Sequence, residues 1–298
     1  MFIQAIEKAD QFTRPIHFIH REYGSDTVIP GSATLFFIND EGWALTCKHI
    51  AQNILSANTL NDKWASFREA LEKTEHNSKK KKSVDELKKR YGFKKGGIIQ
   101  MKTRLMSCAS GFRGLEIKLH PEEEIDLALI KVNSDQLLVK HFARFPKDTS
   151  SLKQGKFLCR LGYPFPEFSN FRHSPEDDNI HWTESGNAAS PRFPIEGMVT
   201  RYLGRRSPDG MDVYGFEMST PGLRGQSGGP AFDTEGVVWG VQFNTSHLYL
   251  GFDIKQPVRQ AGQDRLIEDS AFLNTGRCVH INKIKQFLTA NNVRFDEA

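Results

Sequence analysis

Gly225-Gln226-Ser227-Gly228-Gly229-Pro230 sets a serine among glycines, and two stretches precede it in the chain, Thr46-Cys47-Lys48-His49 and Ile125-Asp126-Leu127-Ala128-Leu129. A serine hydroxyl is a weak nucleophile near neutral pH and needs a base within hydrogen-bond reach. Histidine suits that task, because its ordinary pKa lies close to neutrality. A carboxylate then fixes the tautomer of the imidazole and stabilises the imidazolium that forms. The glycines let the backbone turn tightly, so that amide N–H groups converge on one oxygen. His49, Asp126 and Ser227 are therefore the candidate catalytic residues, with the Gly225 and Ser227 amides as a candidate oxyanion hole.

Gly225–Gly229 also fits the Gly-x-Ser-x-Gly pattern of α/β-hydrolases, in which acid and histidine follow the serine. Candidates do follow, namely Asp253 or Asp264 and then His280. Yet Ser227 is followed by Gly228-Gly229-Pro230, a poor start for a helix. The turn signal Asp233-Thr234-Glu235-Gly236 and the apolar run Val237-Val238-Trp239-Gly240-Val241 come next, which reads as a strand. Strand, turn, strand favours the order His, Asp, Ser.

That order resembles the chymotrypsin-like (trypsin-fold) serine proteases, most closely the bacterial branch related to the Deg/HtrA proteases. Gly31-Ser32-Ala33 leads through Leu35-Phe36-Phe37-Ile38 and the turn Asn39-Asp40-Glu41-Gly42 into Trp43-Ala44-Leu45-Thr46, a hairpin that delivers His49. Leu161-Gly162-Tyr163-Pro164 and Ile195–Thr200 look like opening strands of a second barrel, and Val279–Asn282 with Ile284–Leu288 like its last strand and closing helix. The resemblance implies two antiparallel six-stranded β-barrels with the active site between them. Residues 1–145 would form the first barrel, carrying His49 and Asp126, and residues 146–298 the second, carrying Ser227. Recurrent short apolar runs punctuated by turn residues agree with an all-β architecture. So do 298 residues with 22 phenylalanines, enough apolar material for two cores.

Departures from the family pattern carry their own expectations. Gln226 stands where the digestive enzymes have an aspartate that pairs with a newly cut N-terminus, so activation by such a cut is not expected. The 71 residues after Ser227 leave no room for a PDZ-like module. The charged N-terminus lacks a signal-peptide core, and no apolar run is long enough to span a membrane. Four cysteines (Cys47, Cys108, Cys159, Cys278) show no metal-ligand spacing, which fits reduced thiols in a cytoplasmic protein. Cys47 reads as a small residue packed behind His49 rather than as a nucleophile. Neither metal nor organic cofactor is expected.

Two insertions individualise the chain. The first, about residues 57–106, has helical periodicity in Trp64, Phe67 and Leu71 and a capping-box pattern in Ser83 and Glu86. Between the helices runs Lys79-Lys80-Lys81-Lys82, and residues 61–105 carry fourteen Lys/Arg against six Asp/Glu, whereas the whole chain is only +4. A solvated helical hairpin is the plain reading; docking of a polyanion or a protein activator is the functional one. The second, about residues 166–194, reads as a long loop near the cleft that serves as a lid or specificity loop. Its His173, His181, Asp177 and Asp178 match no metal-ligand spacing.

A protein or peptide substrate is expected to pair with the edge Gln242-Phe243-Asn244-Thr245, beside Leu223 and Arg224. The segment Ser219–Arg224 contains no acid to attract lysine or arginine. With Thr245 leaving the pocket wall partly open, a small or medium apolar side chain is expected before the scissile bond. The alternative class is an inactive relative that keeps the barrels as a peptide-binding module. Oligomeric state is not legible.

Overall fold

A computed structural model describes residues 1–75, 80–208, 210–260 and 262–298. Helix α1 (Ile3–Phe12) leads into β1 (Thr13–Glu22), β2 (Val28–Phe37) and β3 (Trp43–Thr46), followed by α2 (Lys48–Glu75) and α3 (Lys80–Tyr91). Strands β4 (Ile98–Leu105), β5 (Ala109–Leu119) and β6 (Ala128–Leu137) complete a curled six-stranded antiparallel sheet in the order β4-β1-β2-β3-β6-β5. Asn39 organises the β2–β3 turn by accepting the Glu41 and Trp43 amides. Gly42 closes that turn at φ +85°, where a Cβ would stand 2.6 Å from the Val132 carbonyl.

The short β7 (Arg144–Phe145) crosses to β8 (Phe157–Gly162). A hairpin of β9 (Phe171–Ser174) and β10 (Asn179–Trp182) precedes β11 (Phe193–Ser207), β12 (Gly210–Met218) and β13 (Pro230–Phe232). Then come β14 (Val238–Gln260), β15 (Gln263–His280), α4 (Ile281–Ala290) and β16 (Asp296–Glu297), the last pairing with β7. Strands β11-β12-β15-β14-β13-β8 form a closed barrel. The architecture is two antiparallel six-stranded β units, a curled sheet and a closed barrel, with a closing helix. One apolar core runs through both halves, from Phe36 and Leu129 in the first to Phe216, Phe232 and Val241 in the second.

The first insertion differs from its expected bounds. Helix α2 begins at Lys48, so the insertion prolongs the very helix on which His49 sits. Its end, Ile98–Leu105, is the edge strand of the first sheet, paired with β1, and its Ile99 is buried with Trp64 and Phe67. Leu71, Leu87, Tyr91 and Phe93 pack around the same cluster. Helix α3 starts at Lys80, which places Ser83 inside the helix rather than at its cap. Of the lysine run, Lys79 lies outside the described residues.

The second insertion is not a loop over the cleft. Its β9–β10 hairpin packs on the first sheet, with Ile180 and Phe168 buried against Ile19. Asp178 lies 2.7 Å from the buried Arg21 guanidinium and 3.1 Å from His173 Nε2, and Arg68 of α2 approaches it at 3.5 Å. His181 pairs separately with Asp177 at 2.7 Å. Asp178 thus fastens the hairpin to β1 and α2 through its ion pairs with Arg21 and Arg68, and no residue of 166–194 lines the cleft described below.

Beyond Thr245, β14 and β15 leave the barrel as a long two-stranded arm, paired as far as Gln260 and Gln263. Leu250, Phe252, Ile254, Ile267 and Leu273 are exposed along it.

Candidate active site

The candidate residues come from both halves of the fold. His49 occupies the first turn of α2, and Asp126 stands two residues before β6, the neighbour of β3. Ser227 lies on the loop that enters β13. The structure brings all three to one cleft of about 790 Å³, together with Leu223, Arg224, Gln242, Phe243, Asn244 and Thr245.

Asp126 grips His49 twice. Its Oδ1 accepts the His49 main-chain N–H at 3.0 Å, and its Oδ2 lies 2.6 Å from Nδ1 of the ring. A carboxylate only accepts, so Nδ1 carries a proton, and in the neutral ring the lone pair is then on Nε2. Asp126 is 23% exposed and His49 44%, so the pair opens onto the cleft. No hydrogen bond joins His49 to Ser227; such contacts commonly tighten only in the substrate complex.

The serine loop is shaped by close approach to the first sheet. The Thr34 amide donates to the Ser227 carbonyl at 2.9 Å, and the Thr34 hydroxyl donates to the Gly225 carbonyl at 2.7 Å. Gly228 has φ +87°, and a Cβ there would meet the Thr34 carbonyl at 2.0 Å. Gly225, at φ +93°, would meet the Tyr163 carbonyl at 2.4 Å. Gln226 is buried, its side chain accepting the Leu223 amide at 3.1 Å and donating to the Phe193 carbonyl at 3.1 Å. A neutral carboxamide thus pins the segment Leu223–Gln226 from within. Among the described residues, the Gly225 and Ser227 amides donate to no protein acceptor, whereas those of Gln226, Gly228 and Gly229 all do.

Cys47 is set apart from this chemistry. Its thiol, His49 and Asp126 present ligand atoms within 4.8 Å of one another. The thiol, however, is fully buried and donates to the Gln242 carbonyl at 3.2 Å. Burial, with Asp126 adding to it, raises its pKa well above the ordinary value, so it is neither a thiolate nucleophile nor a ready metal ligand.

The substrate edge differs in detail from the sequence reading. The main chain of Gln242 is already committed, its N–H to Gly229 and its carbonyl to the Gly228 amide. Gln242 therefore contributes its side chain to the cleft. Thr245 does not leave the wall open, since its hydroxyl donates to the Gly222 carbonyl at 2.7 Å and bridges the two sides. Arg224 is exposed. His247 and Asn274, at the root of the arm, meet at 2.6 Å on the cleft rim. Neither was singled out in the sequence, where nothing marks residues 246–275 as two strands of one arm. Arg160, considered below, was also missed; the signal was an arginine inside the apolar run Phe157-Leu158-Cys159-Arg160-Leu161.

The model of a trypsin-like peptidase domain matches residues 33–241. The chain belongs to the trypsin-like peptidase family. As a trypsin-like peptidase it is similar to the crystal structure of Deg5, at 13% identity and a TM-score of 0.47, with 95% of this chain and 90% of that chain covered. It is also similar to Rv3671c from M. tuberculosis H37Rv, in the inactive form of a serine-to-alanine mutant, at 12% identity and a TM-score of 0.43, with 96% and 89% covered. No curated protein matches this trypsin-like peptidase. No described helix is long and apolar enough to cross a membrane.

Proposed function

We propose that this trypsin-like peptidase is a serine endopeptidase working through His49, Asp126 and Ser227. The observation that carries the reading is the double grip of Asp126 on His49, in the cleft that also holds Ser227. His49 Nε2 takes the Ser227 proton as Oγ attacks the carbonyl carbon, and Asp126 stabilises the imidazolium. The carbonyl oxygen, now negative, is received by the Gly225 and Ser227 amides, which have no acceptor of their own among the described residues. His49 then returns the proton to the departing amine, and water repeats the sequence on the acyl-enzyme to release the second product.

The neutral lock at Gln226 keeps the oxyanion segment in place without a buried carboxylate awaiting a new N-terminus. The four cysteines are free and buried, which favours a reducing compartment such as the cytoplasm. The test is cleavage of unfolded casein by the purified chain. Wild type produces peptides, Ser227→Ala produces none, and His49→Ala falls to the background of the serine variant. Equal cleavage by wild type and Ser227→Ala would refute the assignment.

A further inference from the structure

Among the described residues, Arg160 is the largest fully buried side chain and has no acidic partner. It projects from β8 across the inside of the second barrel towards the cleft. One terminal nitrogen donates to Gln242 Oε1 at 2.6 Å. The other donates to the Thr220 carbonyl at 2.9 Å, the Thr220 hydroxyl at 2.6 Å and the Pro221 carbonyl at 3.0 Å. Its Nε finds no acceptor among the described residues. On the far side, Gly276 leaves room for it, since a Cβ there would stand 1.8 Å from the guanidinium. Its nearest thiols, Cys278 and Cys159, are held protonated by burial at pKa values of about 12, so they bring no counter-charge.

Burying a guanidinium without an anion is costly, and arginine stays charged at neutral pH. Its positive field bears most strongly on the groups it touches. Two of these, Pro221 and Gln242, line the cleft beside Ser227. By holding Oε1 of Gln242, Arg160 turns the amide end of that side chain outwards. Nε2 then donates to the Asn244 carbonyl at 2.7 Å and keeps a second N–H. Gly222 faces that nitrogen, and a Cβ on it would come within 2.1 Å. The nitrogen is thus packed against Gly222, and Gln242, 2% exposed, meets the cleft as a buried part of its floor. Arg224 adds a second cation at the wall. Among the described residues, the only carboxylate lining the cleft is Asp126, which is engaged by His49.

We propose that Arg160 makes the pocket for the residue before the scissile bond selective for a carboxylate, so that the substrate class is peptides with Glu or Asp at P1. The proposal rests on reading this cleft as the peptidase site. It replaces the apolar preference expected from sequence, because the pocket floor is an amide donor backed by a buried cation. A carboxylate on Gln242 Nε2 lies about 7 Å from the guanidinium, an amide and a hydrogen bond away. Unit charges at that separation, with an effective dielectric of about 20, attract by the equivalent of roughly fiftyfold in affinity. Solvent at the open mouth reduces this, and a preference of about tenfold or more for Glu over isosteric Gln is expected.

The experiment separates binding from turnover. Fluorescent hexapeptides differing only at P1 (Glu, Gln, Leu or Lys) are titrated into the Ser227→Ala chain by anisotropy. Glu binds about tenfold or more tightly than Gln, and the gap narrows with added salt. Equal binding, or tighter binding of Leu or Lys, overturns the proposal. In Arg160→Met on the same background, the Glu-to-Gln ratio falls to about 1; a preserved ratio overturns the role of Arg160, and Arg224→Gln shows whether Arg224 supplies it. If Arg160→Met loses its native circular dichroism, Arg160→Lys takes its place: the charge remains and so does the Glu preference. Wild-type turnover of the four peptides reads the parent assignment separately. Binding preference without turnover sinks the peptidase reading alone, and turnover without Glu preference sinks this proposal alone.

Discussion

Asp126→Asn is the substitution whose effect follows most directly from the geometry. The two carboxylate oxygens receive two donors, the His49 amide at 3.0 Å and the ring Nδ1 at 2.6 Å. A carboxamide has one acceptor oxygen and one donor nitrogen. If the oxygen keeps the His49 amide, the NH₂ faces Nδ1, which must become an acceptor. The ring proton then moves to Nε2, and His49 is unable to take a proton from Ser227. If the carboxamide flips, the NH₂ confronts the main-chain N–H, and the start of α2 loses its anchor. Neither orientation leaves a working base. Loss of the correct tautomer in such triads lowers turnover by about 10⁴, equal to roughly 5 kcal/mol of transition-state stabilisation. The assay is kcat/KM on a fluorogenic peptide at pH 7.5, with urea unfolding of each variant to establish that the fold is retained. A folded Asp126→Asn chain within tenfold of wild type would refute this account of His49.

Three further outcomes follow from the packing. Thr34→Val removes a buried hydroxyl that donates to the Gly225 carbonyl, and is expected to destabilise the chain by about 1–3 kcal/mol and to slow acylation of Ser227; unchanged stability and acylation would show that the first sheet does not position the oxyanion loop. All four thiols are buried and free, so a thiol reagent labels none of them rapidly in the native chain and four after unfolding; fast native modification of Cys47 would contradict its packing. Burial lowers the pKa of His17, with Arg104 adding to it, and of His280, each to about 4. The unfolded chain therefore binds more protons between about pH 6.5 and 4. Stability is at its full value above about pH 6.5 and is lost as pH falls through that window, at about 1.4 kcal/mol for each tenfold difference in proton affinity between the folded and unfolded chains. His280 Nδ1 accepts the Asn282 amide as the cap of α4, so His280→Asn keeps an acceptor but not the titration and flattens the acid slope of the urea midpoint. An unaltered slope would exclude His280 as a source.

What was legible in the sequence was chemistry held in short words. The glycines around Ser227 are there because the Thr34 and Tyr163 carbonyls leave no room for side chains, and that constraint shows locally as a motif. The hairpin before His49 and the strand after Asp126 have apolar runs long enough to read, and the two barrels follow from them. Trp64, Phe67 and Leu71 announced the face of α2 by their spacing. The rest depended on contacts distant in sequence. Ile98–Leu105 looks like the tail of a basic insertion until β1 is beside it. The arm of β14 and β15 alternates apolar residues with Asp253, Lys255, Glu268 and Asp269, is interrupted by Gly251 and Pro257, and shifts register between Tyr249 and Asp253, so neither strand reads cleanly alone. The hairpin at residues 171–182 is held by ion pairs to Arg21 and Arg68, partners that no local pattern names. Arg160 stands out in the sequence only as an arginine inside an apolar run; barrel closure is what buries it under the cleft.

The central claim is that Ser227 is activated by His49 and Asp126. Its most direct test is reaction of the purified chain with a fluorophosphonate, beside Ser227→Ala and His49→Ala, read by intact mass. The account predicts one adduct on wild type, none on Ser227→Ala, and a strongly slowed reaction in His49→Ala. A wild-type chain that stays unlabelled, or an adduct that persists in Ser227→Ala, would contradict it.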